Sequence, residues 1–223
     1  MAIFDDEGKE HLKHHLTDLK DPVILKTFNQ EFECRFCKET GEIIEEIGVA
    51  SGGKVKVEVY DFVRDKETVG WYSIDKIPAV VIEGKEDYGI RFFGVPAGYE
   101  LGTLLESIRM VSTGEHGLKP ETVEALNKLP NPVHIQVFVT LTCPYCPKAV
   151  HMAHQMALAS NNVRADMVES AEFPHLANKF GVLSVPKIVI NEKTEFTGTL
   201  PEKAFLHFVQ QAAAVKPEIA KPV

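Results

Sequence analysis

Only four of the 223 residues are cysteines, one is tryptophan, and no apolar run approaches the length of a membrane span, about 20 residues. A small secreted domain stapled by disulfides carries far more cysteine for its length, so that class is excluded. The opening ten residues, Met-Ala-Ile-Phe-Asp-Asp-Glu-Gly-Lys-Glu, lack a basic stretch leading into an apolar one. They do not read as a secretory leader, and a cytoplasmic setting with no membrane partner is expected. Positive charge is also short. Lys and Arg number 24 against 32 Asp and Glu, a net of −8, which disfavours nucleic acid as a partner. The deficit sits in one half: residues 1–115 hold 14 Lys and Arg against 23 Asp and Glu, whereas residues 116–223 hold 10 against 9. A hydrophobic fraction of 44% and a charged fraction of 25% are those of a globular chain and disfavour disorder.

What the chain does have is a repeat. The four cysteines form two Cys-x-x-Cys pairs, Cys34/Cys37 and Cys143/Cys146. Before each pair a polar residue and a proline open a β-rich run: Asp21-Pro-Val-Ile-Leu-Lys-Thr-Phe28 and Asn131-Pro-Val-His-Ile-Gln-Val-Phe138. After each pair, apolar residues recur at helical spacing, as Ile43, Ile44 and Ile47 and as Val150, Ala153, Met156 and Ala157. A strand, a short helix (near 66–73 and 171–180) and a second strand entered through proline complete the match. Lys76-Ile77-Pro78-Ala-Val-Val-Ile82 answers to Ser184-Val185-Pro186-Lys-Ile-Val-Ile190, with 44 residues from Cys34 to Pro78 and 43 from Cys143 to Pro186. Each half closes on a strand ending in Gly94 or Gly198 and an amphipathic helix, and each opens with a helix, near 7–19 and 120–129. Strands alternating with helices predict an α/β fold with a mixed central sheet flanked by helices. The Gly/Pro-containing stretch 112–120 marks a boundary, giving units 1–115 and 116–223, and so short a connection favours units packed edge to edge.

Cysteines three apart, placed at the N-cap or first turn of a helix, share one helical face and suit the roughly 4.4–6.8 Å Cα separation of a disulfide. The helix N-terminus favours thiolate over thiol, and thiolate is the nucleophile of exchange. The first cysteine of each pair is expected to be the more exposed and to attack; the second resolves the mixed disulfide. Pro144 and Pro147 fit a helix beginning at Cys143, since the first turn needs no amide hydrogen. Pro78 and Pro186 fit either a trans proline at a strand start or a cis bond. A cis bond would turn the backbone of Ile77 and Val185 toward an extended substrate segment. Phe36 and Tyr145, between the cysteines, are expected to be exposed beside the sulfurs and to touch an unfolded chain.

This pattern resembles the thioredoxin fold, and Cys143-Pro-Tyr-Cys146 resembles the active site of glutaredoxins. Two such units in a chain of this length are similar to the protein disulfide oxidoreductases, glutaredoxin-like proteins found mostly in thermophiles. The resemblance implies tandem thioredoxin-like folds and dithiol–disulfide exchange on protein substrates: reduction, oxidation and isomerisation. It implies cis Pro78 and Pro186, and no cofactor beyond the redox-active disulfides. The electron donor is left open between a thioredoxin-reductase-like flavoprotein and glutathione. Thioredoxins carry a buried acid about six residues before the first cysteine; here Phe28 and Val137 stand there, so proton transfer has to use another group.

The two sites differ in charge. Around Cys34 and Cys37, Glu33 raises and Arg35 and Lys38 lower a thiol's pKa, whereas the second site has Lys148 and, between Thr140 and Val168, no acid but Asp166. Cys143 is therefore expected to have the lower pKa and its disulfide to be the more oxidising. Two blander readings stand beside this one: a structural zinc site using all four cysteines, and a binding scaffold without catalysis. Neither is favoured, because the pairs lie in separate units and both are intact, and no metal ligand set is assigned. His11, His14 and His15 read as a solvated helix face, His151 and His154 as helix surface with His151 near a thiol, and Trp71 as a packing residue.

Overall fold

The computed structural model describes residues 3–215. The chain runs α1 (Asp6–Leu16), β1 (Val23–Asn29), α2 (Cys37–Ala50), β2 (Val55–Asp61), α3 (Lys66–Trp71), β3 (Ala79–Glu83), β4 (Asp87–Phe93) and α4 (Tyr99–Thr113). It then repeats the order as α5 (Pro120–Asn127), β5 (Val133–Val139), α6 (Cys146–Ala159), β6 (Val163–Glu169), α7 (Pro174–Lys179), β7 (Lys187–Ile190), β8 (Thr194–Thr197) and α8 (Glu202–Ala214). Helix ends fall within about three residues of the sequence expectation. α1 stops earliest, at Leu16, where Thr17 N–H turns back to the His14 carbonyl.

All eight strands form one mixed sheet in the order β2-β1-β3-β4-β6-β5-β7-β8. β1 is parallel to β2 and antiparallel to β3, and β3 is antiparallel to β4. β5 repeats this with β6 and β7, and β7 with β8. The two halves join where β4 runs parallel to β6, Ile90 to Phe93 facing Ala165 to Val168. It follows that β1, β4, β6 and β5 all point the same way. The loops carrying both cysteine pairs, which follow β1 and β5, therefore lie on one edge of the sheet. Four strand spacings separate them, roughly 19 Å.

Strand alternation divides the core. Val23, Leu25, Val80, Ile82, Ile90, Phe92, Val133, Ile135 and Met167 point to one face, where a single apolar cluster takes in Leu12, Ile44, Ile47, Leu104, Ile108, Val150, Met156, Phe205 and Val209 from the long helices. Phe28, Val81, Phe93, Phe138, Val168 and Val189 point to the other, covered by Tyr72, Phe173 and Phe180 at the ends of the short helices α3 and α7. Each fully buried large aliphatic contributes about 1.5–3 kcal/mol, and the first cluster crosses the junction without a break. The closing helix of the first half, α4, packs directly on α6.

Trp71 does not pack. It is 79% exposed, because α3 turns Val69 and the adjoining Tyr72 toward the sheet and one residue of helix is a rotation of about 100°. His154 is not surface: it is fully buried, its Nδ1 3.0 Å from Ser107 Oγ of α4 and its ring 5.0 Å from that of Phe92. Burial lowers its pKa to about 3, so it is neutral. His151 is partly buried on the same helix, and its pKa is lowered by the same cause. His11, His14 and His15 are exposed on α1.

Candidate active sites

Each cysteine pair is closed as a disulfide, with Cα separations of 5.4 Å for Cys34–Cys37 and 5.5 Å for Cys143–Cys146. Bonded pairwise, and four strands apart, the sulfurs are not arranged around a common ion. The first cysteine of each pair is the more accessible. Cys34 is part-exposed beside a 4% exposed Cys37; Cys143 is 8% exposed and Cys146 fully buried.

The helices start later than expected. α2 begins at Cys37 with Phe36 as N-cap, and α6 at Cys146 with Tyr145 as N-cap. Cys34 and Cys143 lie two residues before the cap, in the turn. Pro144 belongs to that turn and Pro147 to the first helical turn, where its missing amide hydrogen has no acceptor to serve. The electrostatic consequence survives the shift, because the amide of Cys146 donates to Cys143 Sγ at 3.2 Å. At the first site the amide–sulfur bond runs instead to the second sulfur of the pair, from Gln30 N–H to Cys37 Sγ, 3.4 Å. The turn there also holds Glu33 at φ 59°, a conformation uncommon outside glycine.

Both Ile77–Pro78 and Val185–Pro186 are cis. β3 pairs with β1 so that Ala79 faces Phe28, and β7 pairs with β5 so that Lys187 faces Phe138; each cis proline therefore sits beside the end of the strand that feeds the cysteine loop. The proline carbonyls are held by Gly94 N–H (2.9 Å) and Gly198 N–H (2.8 Å) of the hairpin partners. The Val185 carbonyl oxygen lies 3.9 Å from Cys143 Sγ. Of the residues between the cysteines, Tyr145 is 69% exposed. Phe36 is instead half-buried against the core, under the Arg35 guanidinium at 5.1 Å. Lys38 reaches Glu42 at 3.9 Å from an exposed position, and Glu33 and Lys148 are exposed. Asp166 is buried and committed elsewhere, bonded to His134 (2.6 Å) and Arg164 (2.9 Å).

Two acids, one buried and one partly buried, escaped the sequence reading. Glu100, in the first turn of α4, is fully buried with neither carboxylate oxygen hydrogen-bonded among the described residues. Burial raises its pKa to about 7. The same helix start is clasped to the second site, Tyr99 N–H donating to the Leu141 carbonyl at 3.1 Å, two residues before Cys143. Glu172, after β6, accepts from Val95 N–H at 2.6 Å next to the first site's hairpin, and burial raises its pKa to about 7 as well. Neither carries a local signal: Glu100 sits in a helix start bonded to the second half, and Glu172 accepts from the first.

A reduced pair of this geometry attacks a disulfide through one sulfur and releases the product through the other. A thioredoxin-domain family model matches residues 133–210. The crystal structure of a protein disulfide oxidoreductase from Aeropyrum pernix K1 superposes with a TM-score of 0.89, at 32% identity and over 96% of both chains. The alkylhydroperoxide reductase component AhpF from Enterococcus faecalis shares the fold at TM-score 0.85 and 24% identity, over 92% of this chain and 99% of that one. Among curated relatives, a Bacillus subtilis NADH dehydrogenase is 21% identical over 89% of this chain, and the corresponding alkyl hydroperoxide reductase component from Staphylococcus aureus 28% identical over 48%. The chain spans 36% and 20% of the length of those two relatives. Full mutual coverage at 32% identity, on a fold that closes two Cys-x-x-Cys pairs, places this chain among the protein disulfide oxidoreductases, and its chemistry is thiol–disulfide exchange.

Proposed function

We propose that the chain exchanges disulfides with protein substrates in the cytoplasm, through two units, residues 1–115 and 116–223, that share one core. The observation that carries this reading is the approach of Val185's backbone carbonyl to Cys143 Sγ at 3.9 Å. An extended polypeptide lying along residues Ile77–Pro78 or Val185–Pro186 would pair with that backbone and bring its own sulfur to the more accessible cysteine of the pair. The solvent-exposed side chains of Tyr145 and Leu183 (97%) suit contact with unfolded chain.

In the reductive direction the thiolate of Cys34 or Cys143 attacks a substrate disulfide, forming a mixed disulfide and expelling one substrate thiolate, which takes up a proton. Cys37 or Cys146 then loses its proton and attacks the mixed disulfide. The second substrate thiol leaves and the protein disulfide closes, so two electrons have passed to the substrate. Oxidation is the reverse, and isomerisation is attack followed by displacement of Cys34 or Cys143 by a different thiolate of the same substrate, with no net change of oxidation state. This exchange calls on no cofactor beyond the disulfides. At the second site we assign the proton of Cys146 to Glu100: α4 and α6 pack together and both begin at the site edge, and of the ionisable groups buried along that edge, Glu100, Glu169 and Lys187, Glu100 is the one carried by the helix that packs on α6. The Cys146 amide bond to Cys143 Sγ supports a lower thiol pKa, and a more oxidising disulfide, at this site. The alkyl hydroperoxide reductase relatives carry the matching stretch inside a longer chain, which supports a reductase-type flavoprotein as donor over glutathione. Trapping tests the substrate class. Reduced Cys37→Ser and Cys146→Ser variants should each hold insulin as a covalent adduct through Cys34 or Cys143; adduct formation with small disulfides alone would refute protein substrates.

A further inference from the structure

The duplication leaves one groove open and fills its counterpart. In the second half, the strand beside the cysteine strand is β6, whose other edge is taken by β4, and α4 covers α6 where His154 meets Ser107. The loop before Cys143 is closed off by Gly98 and Tyr99. In the first half the corresponding strand is β2, at the end of the eight-stranded order. Nothing among the described residues occupies the place that β4 and α4 take in the other copy. What remains is a groove of about 490 Å³ between α2 and β2, with both sulfurs, Cys34 and Cys37, in its wall.

Its chemistry is one-sided. Glu31, Glu42, Glu45 and Asp61 line it against a single cation, Lys38, which already reaches Glu42. The positions matching Glu42 and Glu45 in the second half are His151 and His154, so the charge belongs to the open copy alone. Asn29, also in the wall, has its Oδ1 buried without a hydrogen-bond partner among the described residues. The rim of the second site is instead apolar and aromatic, through Tyr145 and Leu183.

We propose that this groove is a specificity channel for the first site, taking the segment of a protein substrate that carries Lys or Arg beside its disulfide. The inference rests on the protein-substrate reading above and deepens it. Three uncompensated acidic charges within a Debye length of a bound segment raise its encounter rate and local concentration. The chemical step is the exchange already described: Cys34 thiolate and Cys37 thiol are oxidised to the disulfide while the substrate disulfide is reduced to two thiols.

The test isolates the first site in the full chain with Cys143→Ser and Cys146→Ser. The reduced protein is mixed with three peptide disulfides that differ only in flanking charge, +3, 0 and −3, and exchange is followed by acid quench and chromatography. The expected result is a rate for the cationic peptide about 5–10-fold above the neutral one at low salt, falling to within about 2-fold in 0.5 M salt. The ratio should collapse in Glu31→Gln/Glu45→Gln, and be absent in Cys34→Ser/Cys37→Ser, where the second site works alone. Equal rates for all charges at low salt would overturn the channel while leaving the exchange reading intact. Failure of every peptide beside a reactive small-molecule disulfide would overturn both. A dimer in sedimentation that abolishes the cationic preference would assign the groove to a second copy and overturn the proposal.

Discussion

Replacing Glu100 by glutamine should change the protein's stability in a way that depends on pH and on nothing else at the position. The side chain is fully buried and its carboxylate oxygens lack hydrogen-bond partners among the described residues. Its pKa rises from 4.5 to about 7. Between those values the unfolded chain gives up the proton while the folded one keeps it. The folded state then binds more protons, so stability falls as pH rises through this window and levels off above about 7. A gap of about 2.5 units at 1.36 kcal/mol per unit is about 3 kcal/mol. Glutamine has the same shape and no charge, so the variant should lose this slope. Relative to wild type, it should gain about 3 kcal/mol between pH 4.5 and pH 8, or roughly 6–12 °C in Tm for a chain of this size. Glu172 bends both curves in the same direction, which is why the difference between the proteins is the quantity to measure. Urea unfolding of the oxidised forms at pH 4.5, 6, 7 and 8 supplies it. Parallel curves for the two proteins would mean that Glu100 ionises freely in the fold, and the burial argument would fail.

Other outcomes follow from the same geometry. In a protein reduced to its second site, Glu100→Gln should slow exchange about tenfold near pH 7 and flatten its pH profile, since general acid–base assistance is worth at least that much; an unchanged profile would remove Glu100 from proton transfer. Glutathione equilibration of each single-site protein should give the Cys143–Cys146 pair the higher potential, by about 30 mV or one order of magnitude in the equilibrium constant; a lower potential there would refute the assigned role of the Cys146 amide. Gly98 has φ 57°, and a Cβ on it would collide with the Leu141 carbonyl oxygen. Gly98→Ala should therefore displace the loop before Cys143 and depress insulin reduction by the second site severalfold while sparing the first. Equal loss at both sites would point to general destabilisation.

The parts of the fold that were legible from sequence are those written locally. Alternation in Lys54–Tyr60, helical recurrence of Ile43, Ile44 and Ile47, and the spacing from cysteine to proline are each written in sequence alone, and the chain states each pattern twice, once in each unit. The cis bonds at Pro78 and Pro186 came from family resemblance, since residue type alone fits either isomer. What stayed hidden depends on contact between the halves. His154 looked like helix surface because nothing in Cys146–Ala159 announces that α4 will cover it. Glu100 and Glu172 look like ordinary surface acids until the junction is built, with the start of α4 bonded to the second half and Glu172 bonded to the first. Trp71 misled for a different reason: a six-residue helix offers too few turns to fix which face looks inward. The helix start at Cys146 was misplaced because proline is compatible with the preceding turn as well as with the first helical turn, and that at Cys37 because Arg35 and Phe36 carry no signal that separates the two.

The account depends on each cysteine pair being an independent, reversible carrier of two electrons. Turbidimetric insulin reduction with dithiothreitol as donor tests that directly, comparing wild type, Cys34→Ser/Cys37→Ser, Cys143→Ser/Cys146→Ser and the protein lacking all four sulfurs. The prediction is substantial activity in wild type and in each double variant, and the uncatalysed rate for the fourfold variant. Wild-type insulin reduction no faster than that of the fourfold variant would contradict it.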